Sequence, residues 1–209
     1  MGRFIALIAL GTLLVACQNG ATQAPRSPGP SPHPKVTAAV LQAGEAPAGL
    51  TACPGSGPIG GYLTTLQTSN PTLASRMTDQ WQLLRSNGAI DAAVALFAAD
   101  PTACSAELGV TARFKAAASF VAVFADQGQA ERAWGSGILG FAPPAPDLLS
   151  PGLVRGNATG RGASSWTYTR PSVQLASWRR SVFVSLVVLT NLDSNAFKSV
   201  TAVIDARLN

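Results

Sequence analysis

The sequence predicts an α+β fold, with a helical N-terminal half followed by a mainly antiparallel sheet carrying helices on one face. Three observations lead there. Apolar residues recur at spacings of three and four between positions 59 and 98, which marks amphipathic helix. Several β-branched and aromatic runs lie between 118 and 190. The last apolar stripe, near the C-terminus, returns to helical spacing.

Taken in order, residues 59–68 (IGGYLTTLQT) read as a short helix weakened by Gly60 and Gly61. Asn70-Pro71 is a start signal, Asn as N-cap and Pro at the first helical position. From there Leu73, Met77, Trp81 and Leu84 form one stripe, and Gly88 supplies the stop. Asp91 is positioned to cap a further helix over 92–98, with Val94 and Phe97 inward, broken at Asp100-Pro101. Residues 118–125 (ASFVAVFA) read as a strand, and Asp126 as the cap of a helix over 127–134. Residues 165–170, 172–178 and 181–190 read as three strands, with Arg179-Arg180 where the last hairpin would turn. Asp193 or Ser194 then caps a helix whose Phe197, Val200, Ile204 and Leu208 share a face. Between the two sheet-forming regions lie residues 140–164, dense in Pro and Gly. A connection of that length is a packed crossover or a binding lid.

Ahead of this domain the composition changes. Arg3 gives a short basic start and residues 4–16 are a continuous run of apolar and small residues, the size of a secretory h-region. The run ends Leu14-Val15-Ala16-Cys17, which resembles the lipobox of bacterial lipoproteins. The resemblance implies removal of residues 1–16, lipidation of Cys17, and a membrane partner reached through N-terminal acyl chains. Gln18 is not Asp, which by the same resemblance permits transfer to the outer membrane in a diderm cell. Residues 17–50 then read as the lipidated cysteine and a disordered Pro-rich tether, because their composition cannot bury enough apolar area to fold. That leaves 51–209 as a single α+β globular domain, located outside the cytoplasm.

Charge and cysteine content narrow the chemistry. From residue 51 the chain holds twelve Lys and Arg against nine Asp and Glu, a net +3 without a basic cluster, so nucleic acid is not an expected partner. With Cys17 lipidated, Cys53 and Cys104 are an even pair in an exported protein and predict a disulfide. The one histidine, His33, lies in the tether, so a Ser-His-Asp triad cannot be assembled from the domain and zinc ligands are scarce. No Gly-x-Ser-x-Gly, Ser-x-x-Lys, His-Glu-x-x-His or Cys-x-x-Cys occurs, and no cofactor or metal is expected. Asp79, Asp91, Asp126, Asp147 and Asp193 are the carboxylates from which a glycosidase pair would have to come.

The remaining signal is aromatic. Trp134, Phe141, Trp166, Tyr168 and Trp178 fall around the long loop and the hairpin, together with Arg179 and Arg180. Tryptophan and arginine together are a recognition composition, though the same residues also cover a sheet without any partner. The expected function is a non-enzymatic binding domain at the cell envelope. Its partner would be an envelope protein, a cell-wall polymer or an apolar small molecule. A carboxylate-dependent hydrolase and a purely structural lipoprotein are the alternatives.

Overall fold

The computed structural model describes residues 34–208. The expected leader, the lipidation site Cys17 and His33 lie outside the described residues.

Among the described residues the chain forms an eight-stranded antiparallel sheet and five helices. In chain order they are α1 (Val36–Ala39), β1 (Thr51–Ala52), β2 (Gly57–Pro58), α2 (Ile59–Ser69), α3 (Pro71–Ser86), β3 (Ala89–Ala98) and β4 (Ala116–Phe124). Then follow α4 (Gln127–Ser136), β5 (Leu153–Arg155), β6 (Ser165–Thr169), β7 (Val173–Arg180), β8 (Phe183–Thr190) and α5 (Ser194–Arg207). The strand order is β1-β3-β4-β8-β7-β6-β5, with β2 also pairing β3.

Helix capping follows the sequence signals. The side chains of Asn70, Asp126 and Asp193 each accept a hydrogen bond from the backbone N–H three residues on, opening α3, α4 and α5. Gly88, at φ 97°, ends α3 and accepts the N–H of Ala125 on its carbonyl. Leu73, Met77, Trp81 and Leu84 are all buried, as the stripe predicts. Each is worth roughly 1.5–3 kcal/mol of burial.

Three expectations are corrected. Residues 92–98 are not a helix. They belong to β3, which is ten residues long and buried on both faces from Ala92 onward. Half of β3 is alanine, a helix former, yet its small side chains are what let two helical layers close on one strand. The N-terminal half is therefore mixed.

Second, the sheet is covered on both faces, not one. Helices α2, α3 and α4 pack on the side carrying Val94, Leu96, Phe120 and Leu186. On the other, α1 and α5 cover Ala95, Phe97, Val121, Trp178 and Val187. The α4 and α5 faces of the sheet are named accordingly below. The central strands β4 and β8 are almost wholly buried. Burial on both sides is the physical meaning of their nearly continuous apolar sequences, each broken internally by one serine.

Third, the folded unit starts well before residue 51. Val36, Ala39, Val40 and Leu41 are buried against the α5 face. Leu41 N donates to the buried Ser119 Oγ at 2.9 Å, and Arg207 holds the segment by bonding the Val40 carbonyl and pairing with Glu45. Residues 34–50 thus bury enough apolar surface to order, and the part of the expected tether beyond them lies outside the described residues.

The predicted disulfide is present. Cys53 and Cys104 are bonded, with their Cα atoms 5.5 Å apart. The bond ties the strand leaving β1 to the 3-10 turn after β3, and Cys53 N donates to Leu96 O alongside it. No helix among the described residues is long and apolar enough to cross a membrane.

Candidate functional site

Strand alternation decides how the expected aromatic and arginine surface is arranged. Ser165 on β6 pairs with Trp178 on β7, and Trp166 with Ser177. Successive side chains point to opposite faces, so Trp166 and Tyr168 lie on the α4 face and Trp178 on the α5 face. Trp178 is fully buried, at 0% exposure. The seven residues expected to form one surface are split between two sides of the sheet.

Arg179 and Arg180 divide in the same way. They belong to β7 rather than to a turn, and the hairpin turns instead at Ser181-Val182, with Ser181 at φ 48°. Arg179 pairs with Glu131 on α4. Arg180 makes a bidentate pair with Asp205 on α5, at 2.8 and 2.9 Å. Both are structural staples between sheet and helix, which removes them from a recognition surface.

A cleft of about 500 Å3 remains on the α4 side. Trp134 from α4 and Trp166 from β6 form part of its wall, together with Pro143, Pro144 and Pro146 of the long connection. Trp166 is only 4% exposed. Arg155, at the end of β5, also lines the cleft and fixes the Pro-rich stretch. Its Nη2 donates to the carbonyls of Ala145 and Leu148 at 2.7 and 2.6 Å. The far end of the connection is fixed as well, since Ser164 Oγ donates to the Glu131 carboxylate at about 3.0 Å.

Residues 140–164 therefore pack as a crossover along the sheet edge. They add a strand that the sequence pattern concealed, because β5 is three residues long and flanked by glycines. Gly152 (φ 81°) passes so close to β6 that a Cβ there would sit 2.2 Å from Thr169 O. Phe141 is half-buried against the α4-side core, and a bridge to Ile138 holds it. Tyr168 lies outside the cleft. Its hydroxyl accepts from Arg170 Nε at 2.8 Å, and that guanidinium sits 5.3 Å from the ring centre.

The unpartnered side-chain polar groups of the cleft residues are all donors. Trp134 Nε1, Trp166 Nε1 and Arg155 Nε are buried donors without a hydrogen-bond partner among the described residues. Each leaves a desolvation cost of about 1–3 kcal/mol unmet.

The carboxylates singled out from the sequence do not converge. Asp126 and Asp193 cap helices, Asp91 accepts from its neighbour Ala92 N, and Asp79 and Asp147 are exposed. A different pairing emerges, in which Glu45 and Asp193 line one hollow of about 510 Å3 beside α5. Glu45 already accepts from Gln42 N and pairs with Arg207. No group of three or more metal-ligating side chains occurs among the described residues. No protein-family model, no curated protein and no solved structure matches this chain.

Proposed function

We propose that this chain is an envelope lipoprotein, anchored through Cys17, whose folded part is a non-enzymatic binding head. The cleft walled by Trp134, Trp166 and the Pro143–146 stretch is its recognition site, and its ligand is an extended, proline-rich segment of an envelope protein. The observation that carries this reading is the donor imbalance of the cleft. Two indole N–H groups and a guanidinium N–H of the lining residues lack acceptors among the described residues, in a slot whose walls are mainly apolar. A polyproline II segment supplies the complement: its rings stack on aromatic walls, and its carbonyls, unused within the helix, accept from the indoles.

Titration of the intact chain with an end-blocked decaproline peptide, followed by tryptophan fluorescence, tests the site. Trp134→Phe and Trp166→Phe keep a ring and remove the N–H. Each should weaken binding by roughly three- to tenfold, the worth of one neutral hydrogen bond. Saturable binding indifferent to both changes, or no binding, refutes the assignment. The anchor is tested separately by Cys17→Ser, which should release the protein or block its processing. Membrane retention with normal processing would refute it.

One observation favours a second reading. Glu45 and Asp193 line one hollow, and two carboxyl groups facing one cleft are the residue types that hydrolysis of a glycosidic bond uses. Glycan hydrolysis abolished by Glu45→Gln and by Asp193→Asn would establish it, and a wild-type chain inert on envelope glycans would remove it.

A further inference from the structure

On the α5 side of β6 and β7 lies a smaller hollow of about 310 Å3, of contrasting chemistry. Thr167, Thr169 and Gln174 reach it from the strands, and Ser194 and Lys198 from α5. Arg161 lines it from the long connection. We propose that this hollow is a binding site for an acidic sugar, a single pyranose ring carrying a carboxylate. The site goes beyond the peptide cleft and does not depend on it.

Four features lead to that ligand class. First, Gln174 is 3% exposed. Its Nε2 donates to Leu192 O at 2.7 Å, while its Oε1 has no partner among the described residues. A buried acceptor left in this state requires a donor, which a ring hydroxyl supplies. Second, the hollow carries two cations with little to neutralise them. Lys198 makes no ion pair among the described residues.

Among the described residues the Arg161 guanidinium touches only neutral groups, Thr159 O at 2.9 Å, Thr201 Oγ1 and the ring of Trp178 at 5.5 Å, and its Nε has no partner. The nearest acid on its own face, Asp205, is committed to Arg180. Burial pulls the Arg161 pKa below its ordinary value, and the field of Asp205 offsets this only in part. Asp193, in the adjoining hollow, is held as the cap of α5.

Third, the Thr167 and Thr169 hydroxyls, which can donate and accept, stand beside the apolar surfaces of Val154 and Phe197. A pyranose presents that same combination, with C–H groups on its faces and hydroxyls at its edge. Fourth, the volume sits at the low end of small-molecule clefts, roughly 300–1,000 Å3, which suits one ring. The contrast with the tryptophan cleft is direct. There the unmet side-chain groups are all donors, whereas here an unmet acceptor, Gln174 Oε1, accompanies an unmet donor, Arg161 Nε, beside excess positive charge.

The test is titration of the intact chain with three probes: D-glucuronate, D-glucose (hydroxyls without carboxylate) and acetate (carboxylate without ring). Glucuronate should bind about tenfold or more tighter than either of the others, since a charge-assisted contact and the ring contacts add. Lys198→Gln, at an exposed position, should bring glucuronate to the level of glucose, and Thr169→Val should weaken both sugars. Trp134→Phe and Trp166→Phe should leave glucuronate binding unchanged, so that failure of the peptide cleft and failure of this site are told apart. Three results overturn the proposal. Equal binding of glucuronate and acetate means a general cationic patch, and no saturation by any probe means that Gln174 Oε1 is simply hydrated. Loss of glucuronate binding on changing the tryptophans means that the sugar sits elsewhere.

Discussion

Reduction of the Cys53–Cys104 disulfide should remove a large part of this protein's stability. The two residues are 51 positions apart, and for a loop of that size the chain-entropy relation gives about 14 cal/mol/K, or about 4 kcal/mol at 25 °C. Domains of this kind are stable by only about 5–15 kcal/mol in all, so the loss is substantial. Reduction leaves every side chain in place and so avoids the cavity or buried hydroxyl that a substitution of Cys53 would introduce. The measurement is urea unfolding followed by tryptophan fluorescence, with and without reductant. Using a chain carrying Cys17→Ser makes the pair the only source of thiols. With a urea slope of roughly 2 kcal/mol/M, the midpoint should fall by about 2 M with the slope little changed. A shift below about 0.5 M would refute the reasoning. It would mean that the β1–β3 pairing and the Cys53 N to Leu96 O bond already hold the loop closed without the crosslink.

Two further predictions concern buried positions. Tyr62 lies in the α2–α3 core at 2% exposure and its hydroxyl has no full hydrogen bond, so burial pushes its pKa to about 12. The Leu108 backbone, drawing it down, and Glu107, pushing it up, are smaller influences. The folded state thus holds the proton more tightly than the unfolded one. The associated stability is intact below pH 10 and falls as pH rises from 10 to 12, by about 3 kcal/mol in total. In alkaline denaturation curves, Tyr62→Phe should abolish that component at little cost at pH 7, and an unchanged alkaline slope would contradict it. Gly152→Ala meets both a left-handed backbone (φ 81°) and the Thr169 carbonyl at 2.2 Å. It should cost at least about 1–2 kcal/mol and free the β5 edge, seen as faster amide exchange at Thr169, and a variant of wild-type stability would refute the close approach.

How far the sequence carried the fold depended on whether a signal was local. The caps Asn70, Asp126 and Asp193, and the Leu73–Met77–Trp81–Leu84 stripe, act within one or two turns and were legible for that reason. β3 was not, because a strand buried on both faces loses the period-2 alternation that identifies strands. Its alanines then speak for helix until the neighbours on each side are known. The nearly continuous apolar runs of β4 and β8 did contain the evidence that both faces are covered. Similarly, residues 36–41 (VTAAVL) carried an apolar signal masked by the prolines before them. The candidate site was half legible. Trp134 and Trp166 do share a cleft, and residues 140–164 do supply its other wall. Trp178, Arg179 and Arg180 are near it only in sequence, since assigning them needed the strand alternation and hence the true end of β7.

The alternating arginines of β7 bear on how this sheet avoids misalignment. A slip of β7 by one residue against its neighbours would turn every one of its side chains to the opposite face. Each guanidinium would then face a helix that also carries a carboxylate, Glu131 on α4 or Asp205 on α5, although only one of the two arginines would arrive where the other had been. Charge sign alone therefore distinguishes the two faces poorly. Trp178 separates them: slipped, its indole would be driven from the α5 face into the α4-side layer, and Ser177 would leave an indole-sized void behind it. Fidelity of strand alignment here rests on the shape of one buried ring, and exchanging the charges between the two helices would leave it untouched.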